Sequence, residues 1–123
     1  MEIYFCPNCW RWGPTVQEHC PACGYALADY HALSYDERLV RAVRHPIQEN
    51  RMIAVELLGK RRYAPAVAVF ADLLATERDY YTIREVARAL RRIDTPESRA
   101  VLDRLRYHSS PLVRALLEEP CTQ

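Results

Sequence analysis

From Ser34 onward, apolar residues recur three and four positions apart, the spacing of helices with one buried face. Ser34-Tyr35-Asp36-Glu37 predicts the first N-terminus as a capping box, with Ser34 capping and Glu37 reaching back. Leu39, Val40 and Val43 form the stripe behind it, which ends near Arg44. Pro46 suits the first turn of a second helix, with Ile47, Ile53, Ala54, Leu57 and Leu58 inward and Gly59 as its stop. Pro65 opens a third, with Val67, Phe70, Leu73 and Leu74 inward. The fourth begins at Asp79 or Thr82, Thr82 and Glu85 having capping-box spacing, and its stripe is Ile83, Val86, Ala87, Leu90 and Ile93. Thr95-Pro96 places a cap and a first-turn proline before Val101, Leu102 and Leu105. Ser110-Pro111 repeats that start before Leu112, Val113, Leu116 and Leu117, with a stop near Pro120. Six helices joined by short connections imply three antiparallel pairs.

The chain ahead of Ser34 is patterned differently. Ile3-Tyr4-Phe5 is a strand-like run, Gly13-Pro14 a turn, Thr15-Val16-Gln17 a candidate return strand, and Tyr25-Ala26-Leu27 an exit. A segment this short buries too little surface to fold unaided; chains below roughly 40 residues usually need a metal, disulfides or a partner. Its cysteines supply the means. Cys6-Pro7-Asn8-Cys9 is followed, after ten residues, by Cys20-Pro21-Ala22-Cys23-Gly24. Two Cys-x-x-Cys pairs at this separation read as a four-thiolate zinc site. An iron–sulfur cluster or a redox dithiol is the alternative that thiolate ligands leave open. His19 beside Cys20 is a further candidate ligand. Proline after the first cysteine shapes each turn, and Gly24 after the second permits positive φ. Trp10 stands where the first turn would have that glycine.

The helical part also repeats itself. Arg51-Met52-Ile53-Ala54-Val55-Glu56-Leu57-Leu58-Gly59 aligns with Arg84-Glu85-Val86-Ala87-Arg88-Ala89-Leu90-Arg91, and more loosely with Val113-Arg114-Ala115-Leu116-Leu117. Arg-x-x-Ala-x-x-Leu-Gly followed by proline and an apolar helix resembles the short bacterial HEAT-like repeats of phycobilisome lyase subunits, over about residues 36–119. Asn50 before the first arginine, and a glycine kept only at Gly59, depart from that pattern. The resemblance implies a right-handed solenoid in which Arg51, Arg84 and Arg114 form an inter-repeat ladder with acidic or carbonyl partners. Residues 3–27 resemble the short zinc-ribbon family of bacterial proteins, which implies one tetrahedral Zn2+ on Cys6, Cys9, Cys20 and Cys23. Four thiolates close the coordination shell, so the metal is structural. The expected architecture is mostly α: a three-hairpin HEAT-like α-solenoid over 34–120, with a small zinc ribbon over 1–28 that caps its first end.

Composition narrows the function. The formal net charge of +1 and 27% charged residues fit a globular protein with no strong field for nucleic acid. Lys60 is the sole lysine among 17 basic residues, a bias that favours bidentate pairing but that genome composition explains more simply. No long apolar run predicts a membrane span and no basic-then-apolar start predicts a signal peptide, so a cytoplasmic, reducing setting is expected. With three glycines there is no Gly-rich phosphate loop, the histidines lack ligand spacing, and Cys121 has no activating neighbour. No catalytic constellation or small-molecule substrate is expected, and the reading is a non-enzymatic adaptor that docks on a protein partner. Trp10, Arg11 and Trp12 on the metal-held turn, and Arg88, Arg91 and Arg92 on one helix face, are the candidate contact residues. The alternative is nucleic-acid or ribonucleoprotein binding by those same residues, through base stacking and phosphate contacts.

Overall fold

The computed structural model describes residues 4–14, 17–28 and 32–118. Strands β1 (Tyr4–Phe5) and β2 (Trp12–Gly13) pair antiparallel, with Tyr4 opposite Gly13 and Phe5 opposite Trp12. The strand paired with β1 is thus Trp12–Gly13, ahead of the candidate return strand Thr15-Val16-Gln17. The first cysteine turn reverses the chain so tightly that pairing resumes at Trp12; residues 15 and 16 lie outside the described residues.

From Ser34 on, the described residues form six α-helices: α1 (Tyr35–Ala42), α2 (Gln48–Lys60), α3 (Ala66–Thr76), α4 (Tyr80–Ile93), α5 (Pro96–Asp103) and α6 (Pro111–Ala115). Short 3-10 turns extend α5 over Arg104–Tyr107 and α6 over Leu116–Glu118. α2 packs along α4, and α4 meets α6, so these three form one row. α3 lies beside α5, and α1 covers α2. This is a mostly helical stack of three hairpins with a cysteine cluster at its N-terminal side.

Local chemistry explains the starts. Ser34 and Glu37 form both bonds of a capping box, Glu37 N–H to Ser34 Oγ at 3.2 Å and Ser34 N–H to Glu37 Oε1 at 3.4 Å. Thr95 caps α5 with Pro96 in its first turn, and the buried Ser98 closes the box by accepting from the Thr95 N–H at 2.8 Å. α4 starts at Asp79, not Thr82. Asp79 Oδ2 accepts from the Thr82 N–H and hydroxyl, both at 2.9 Å, which uses Thr82 as a third-position donor and leaves it no capping role toward Glu85.

One apolar cluster joins α1 to α5 around Val43, Val55, Leu58, Phe70, Val86 and Leu90; a second joins α4 to the last turns around Ile83, Ala87, Leu105, Val113 and Leu116. The face of α2 is rotated from the expected one. Ala54, Val55, Leu58 and Gly59 are buried, while Ile47 and Ile53 are exposed. The cause is Gly59, which lies inside α2 and faces Ala89 of α4. Leu112 is likewise exposed, Val113 and Leu116 supplying the buried contacts of the last helix. α2 ends one residue after Gly59: the Arg62 N–H bonds Gly59 C=O at 3.0 Å and the Tyr63 N–H bonds Leu58 C=O at 3.1 Å, with Arg62 left-handed at φ 50°.

The repeated arginines hold loops. Arg51 Nη1 donates to the carbonyls of His45 (2.9 Å) and Pro46 (3.2 Å), and Arg114 Nη1 to those of His108 (2.6 Å) and Ser109 (3.0 Å). In both places the histidine Nδ1 accepts a backbone N–H two residues on, from Ile47 and Ser110, each at 3.0 Å. The carbonyls belong to the loop before each arginine's own helix, so these bonds are not inter-repeat. The rungs between hairpins are Gln48 Nε2 to Asp79 Oδ2 at 2.6 Å, and Arg91 to the Leu116 carbonyl.

Candidate metal centre

The two cysteine turns are built alike. In the first, Trp10 N–H bonds Cys6 C=O (2.7 Å) and Cys6 N–H bonds Arg11 C=O (2.8 Å). In the second, Gly24 N–H bonds Cys20 C=O (2.8 Å) and Cys20 N–H bonds Tyr25 C=O (2.9 Å). The residue after each pair is left-handed: Gly24 at φ 81° and Trp10 at φ 66°. Trp10 thus adopts the glycine conformation without being glycine, at a cost of about 1–2 kcal/mol.

These turns bring Cys6, Cys9, Cys20 and Cys23 together, all four Sγ atoms within 4.8 Å of one another. Cys6 and Cys23 sulfurs are 3.6 Å apart and those of Cys9 and Cys20 3.5 Å, too far for disulfides. Thiolates set tetrahedrally about 2.3 Å from a shared ion lie roughly 3.8 Å apart, so this cluster fits one metal ion. Cys6 and Cys20 are buried, Cys9 is half-buried and Cys23 exposed.

The surroundings divide the thiols. Burial pushes Cys6 up to about 12, against the opposing amides of Cys9 and Asn8. The Asn8 side chain, 3.5 Å from its sulfur, leads in holding Cys23 down to about 6, helped by the Tyr25 amide. At Cys20 burial acts upward, but the amides of Cys23 and Ala22 and the Cys9 side chain outweigh it and lower the thiol. Asn8 was silent in the sequence; only the fold reveals that it crosses to the other turn. His19 is exposed and outside the four-sulfur group, its backbone bridging Ala26.

The cluster is seated on the first hairpin. The Trp10 ring lies 4.5 Å from the His45 ring, centroid to centroid, and the Arg41 guanidinium stands 5.1 Å over the Tyr25 ring. Trp12 points away: 68% exposed, it borders a shallow cleft with Trp10, Arg11, Pro21 and Ala22. The three helix-face arginines separate. Arg91 binds the Leu116 carbonyl, Arg88 approaches Glu85 at 4.0 Å, and Arg92 lines a cavity with Gly59, Lys60 and Arg62. All three are half-buried, not an open basic face. Burial, and then repulsion from Glu56, raises the half-buried Glu85 carboxyl against the pull of Arg88, Arg92 and Arg84.

The helical stack and its arginine-marked repeats define a helical-repeat protein. The family model for HEAT repeats matches residues 36–119, and the chain belongs to that family. HEAT repeats typically form non-catalytic scaffolds that mediate protein interactions. No curated protein and no solved structure matches the chain. Among the described residues no helix is long and apolar enough to cross a membrane.

Proposed function

We propose that this chain is a non-enzymatic zinc-binding adaptor that docks on a protein partner or larger assembly through its helical-repeat surface. Residues 1–28 act as a zinc ribbon of the short bacterial type and residues 34–120 as the repeats. One Zn2+ on Cys6, Cys9, Cys20 and Cys23 has its shell filled by thiolates, with no position for water or substrate, and so holds shape. The carrying observation is the seating of the four-sulfur cluster against the first hairpin through Trp10–His45 and Tyr25–Arg41. A short solenoid needs its end covered, and the ribbon serves as that cover. Free thiols in such a cluster suit a reducing, cytoplasmic compartment.

A second reading has a specific support. Trp12, exposed beside Arg11, offers a flat ring and a cation as single-strand binders do. The near-neutral net charge works against it.

Purification of the tagged chain from its native host tests both. The adaptor reading expects about one zinc per chain and a stoichiometric protein partner that survives high salt. A co-purified nucleic acid, released as salt rises, would favour the second reading. Neither partner, with no bound metal, would remove both.

A further inference from the structure

We propose that the cavity between the C-terminal ends of α2 and α4 is a binding site for a small phosphate-type oxyanion, gripped by Arg62 and Arg92 with Lys60 at its edge. The cavity is an open cleft of about 270 Å3, lined by Gly59, Lys60, Arg62 and Arg92. Three of its four lining residues are cations, and the fourth is Gly59, where α2 lies against Ala89 of α4. At about 30 Å3 per water, the space equals roughly nine waters, enough for a phosphate or diphosphate group with some hydration.

Two independent features call for an acceptor there. Arg92 Nη1 is buried and has no hydrogen-bond partner among the described residues. A buried guanidinium donor left without an acceptor is costly, and an oxyanion supplies what it lacks. Glu56 and Glu85 both attract Arg92 electrostatically, but neither bonds its Nη1: Glu56 bonds Lys60 at 2.9 Å, and Glu85 is nearest Arg88 at 4.0 Å. The second feature is Arg62. It occupies the left-handed position after α2, where glycine or asparagine is usual, and it lines the cavity. Cations at helix C-termini also answer the helix dipole. That accounts for their charge, but it gives Arg92 Nη1 no acceptor and does not require an arginine in a glycine conformation.

Calorimetric titration of the metal-loaded full chain with inorganic phosphate and with diphosphate, at constant ionic strength, tests the site. The expected result is saturable one-to-one binding that Arg92→Gln weakens about tenfold or more, the loss of a charge-assisted bond. Arg62→Gly should weaken it similarly while the thermal midpoint holds, since glycine is at ease in that conformation. This variant keeps the test decisive even where Arg92→Gln unfolds the chain. Arg104→Gln, in the 3-10 turn after α5 and outside the cavity, should leave binding unchanged. The proposal fails if the wild type shows no saturable heat with either anion, or if Arg62→Gly binds as tightly as wild type. It also fails if a single-stranded oligonucleotide binds and neither anion displaces it.

Discussion

A methyl group on Gly59 of α2 would lie 2.7 Å from the Cα and 2.8 Å from the Cβ of Ala89 on α4. Two helix backbones meet here with no side chain between them. Gly59→Ala should raise helix propensity by about 1 kcal/mol, yet the forced separation should cost about 1–3 kcal/mol. Denaturant unfolding is expected to show net destabilisation. A gain in stability would mean that the helices do not touch at this point.

Metal removal should act locally first. A chelator, or Cys23→Ser, is expected to abolish zinc binding worth on the order of 10–16 kcal/mol in such sites. Trp10 should then leave His45, changing tryptophan fluorescence, while far-ultraviolet dichroism keeps the signal of α1 to α6. Full helical collapse on chelation would show the solenoid to be metal-dependent throughout.

Asp79 makes stability depend on pH. The Thr82 N–H leads in holding its carboxyl below the ordinary range, with the Thr82 hydroxyl, Gln48 and Arg51 assisting against desolvation. A depressed carboxyl contributes stability above its unfolded value, about 3.9, and loses it as pH falls through the lower folded value. Asp79→Asn should therefore flatten the acid limb of the stability curve while retaining a cap. Asp79→Ala should cost about 1–2 kcal/mol at neutral pH. An acid limb identical to wild type in Asp79→Asn would assign the effect elsewhere.

Arg51 and Arg114 each hold two loop carbonyls. Substitution of either by alanine should cost about 1.5–3 kcal/mol, the worth of hydrogen bonds to a charged group. The two losses should add within about 0.5 kcal/mol because the sites share no partner. Amide exchange should quicken at Ile47 in the first variant and at Ser110 in the second. Faster exchange at both amides in each variant would reveal coupling through the stack.

Trp10→Gly separates two roles of one residue. Glycine relieves the left-handed backbone at φ 66° but removes the ring set against His45. Zinc affinity should hold or rise, while the ribbon loosens from α1 and α2, measurable as faster proteolysis between residues 28 and 34. Weaker zinc binding would show that the ring, not the turn, secures the metal.

Much of this was readable in the chain itself. Ser34–Glu37 and Thr95–Pro96 mark helix starts by bonds that span three residues, so local sequence suffices. The four cysteines lie in two turns whose geometry is fixed by their own spacing. The stripe of α4 was legible because that helix is flanked on both sides, making its apolar face broad and regular. Ile47 and Ile53 misled because the rotation of α2 is set by Gly59 against Ala89, thirty residues away along the chain. The bond from Asn8 to Cys23 depends on chain reversal and leaves no local periodic trace. His45 and His108 do leave one, since each stands six residues before the arginine that holds its carbonyl.

α4 belongs to both apolar clusters: Val86, Ala89, Leu90 and Ile93 serve the first, Ile83 and Ala87 the second. Long repeat arrays can fray from one end while the rest stays folded. Here the middle rung is common property of both halves, so neither half has a finished interior without it. The stack should melt in a single concerted transition, and a truncation on either side of α4 should leave no foldable fragment.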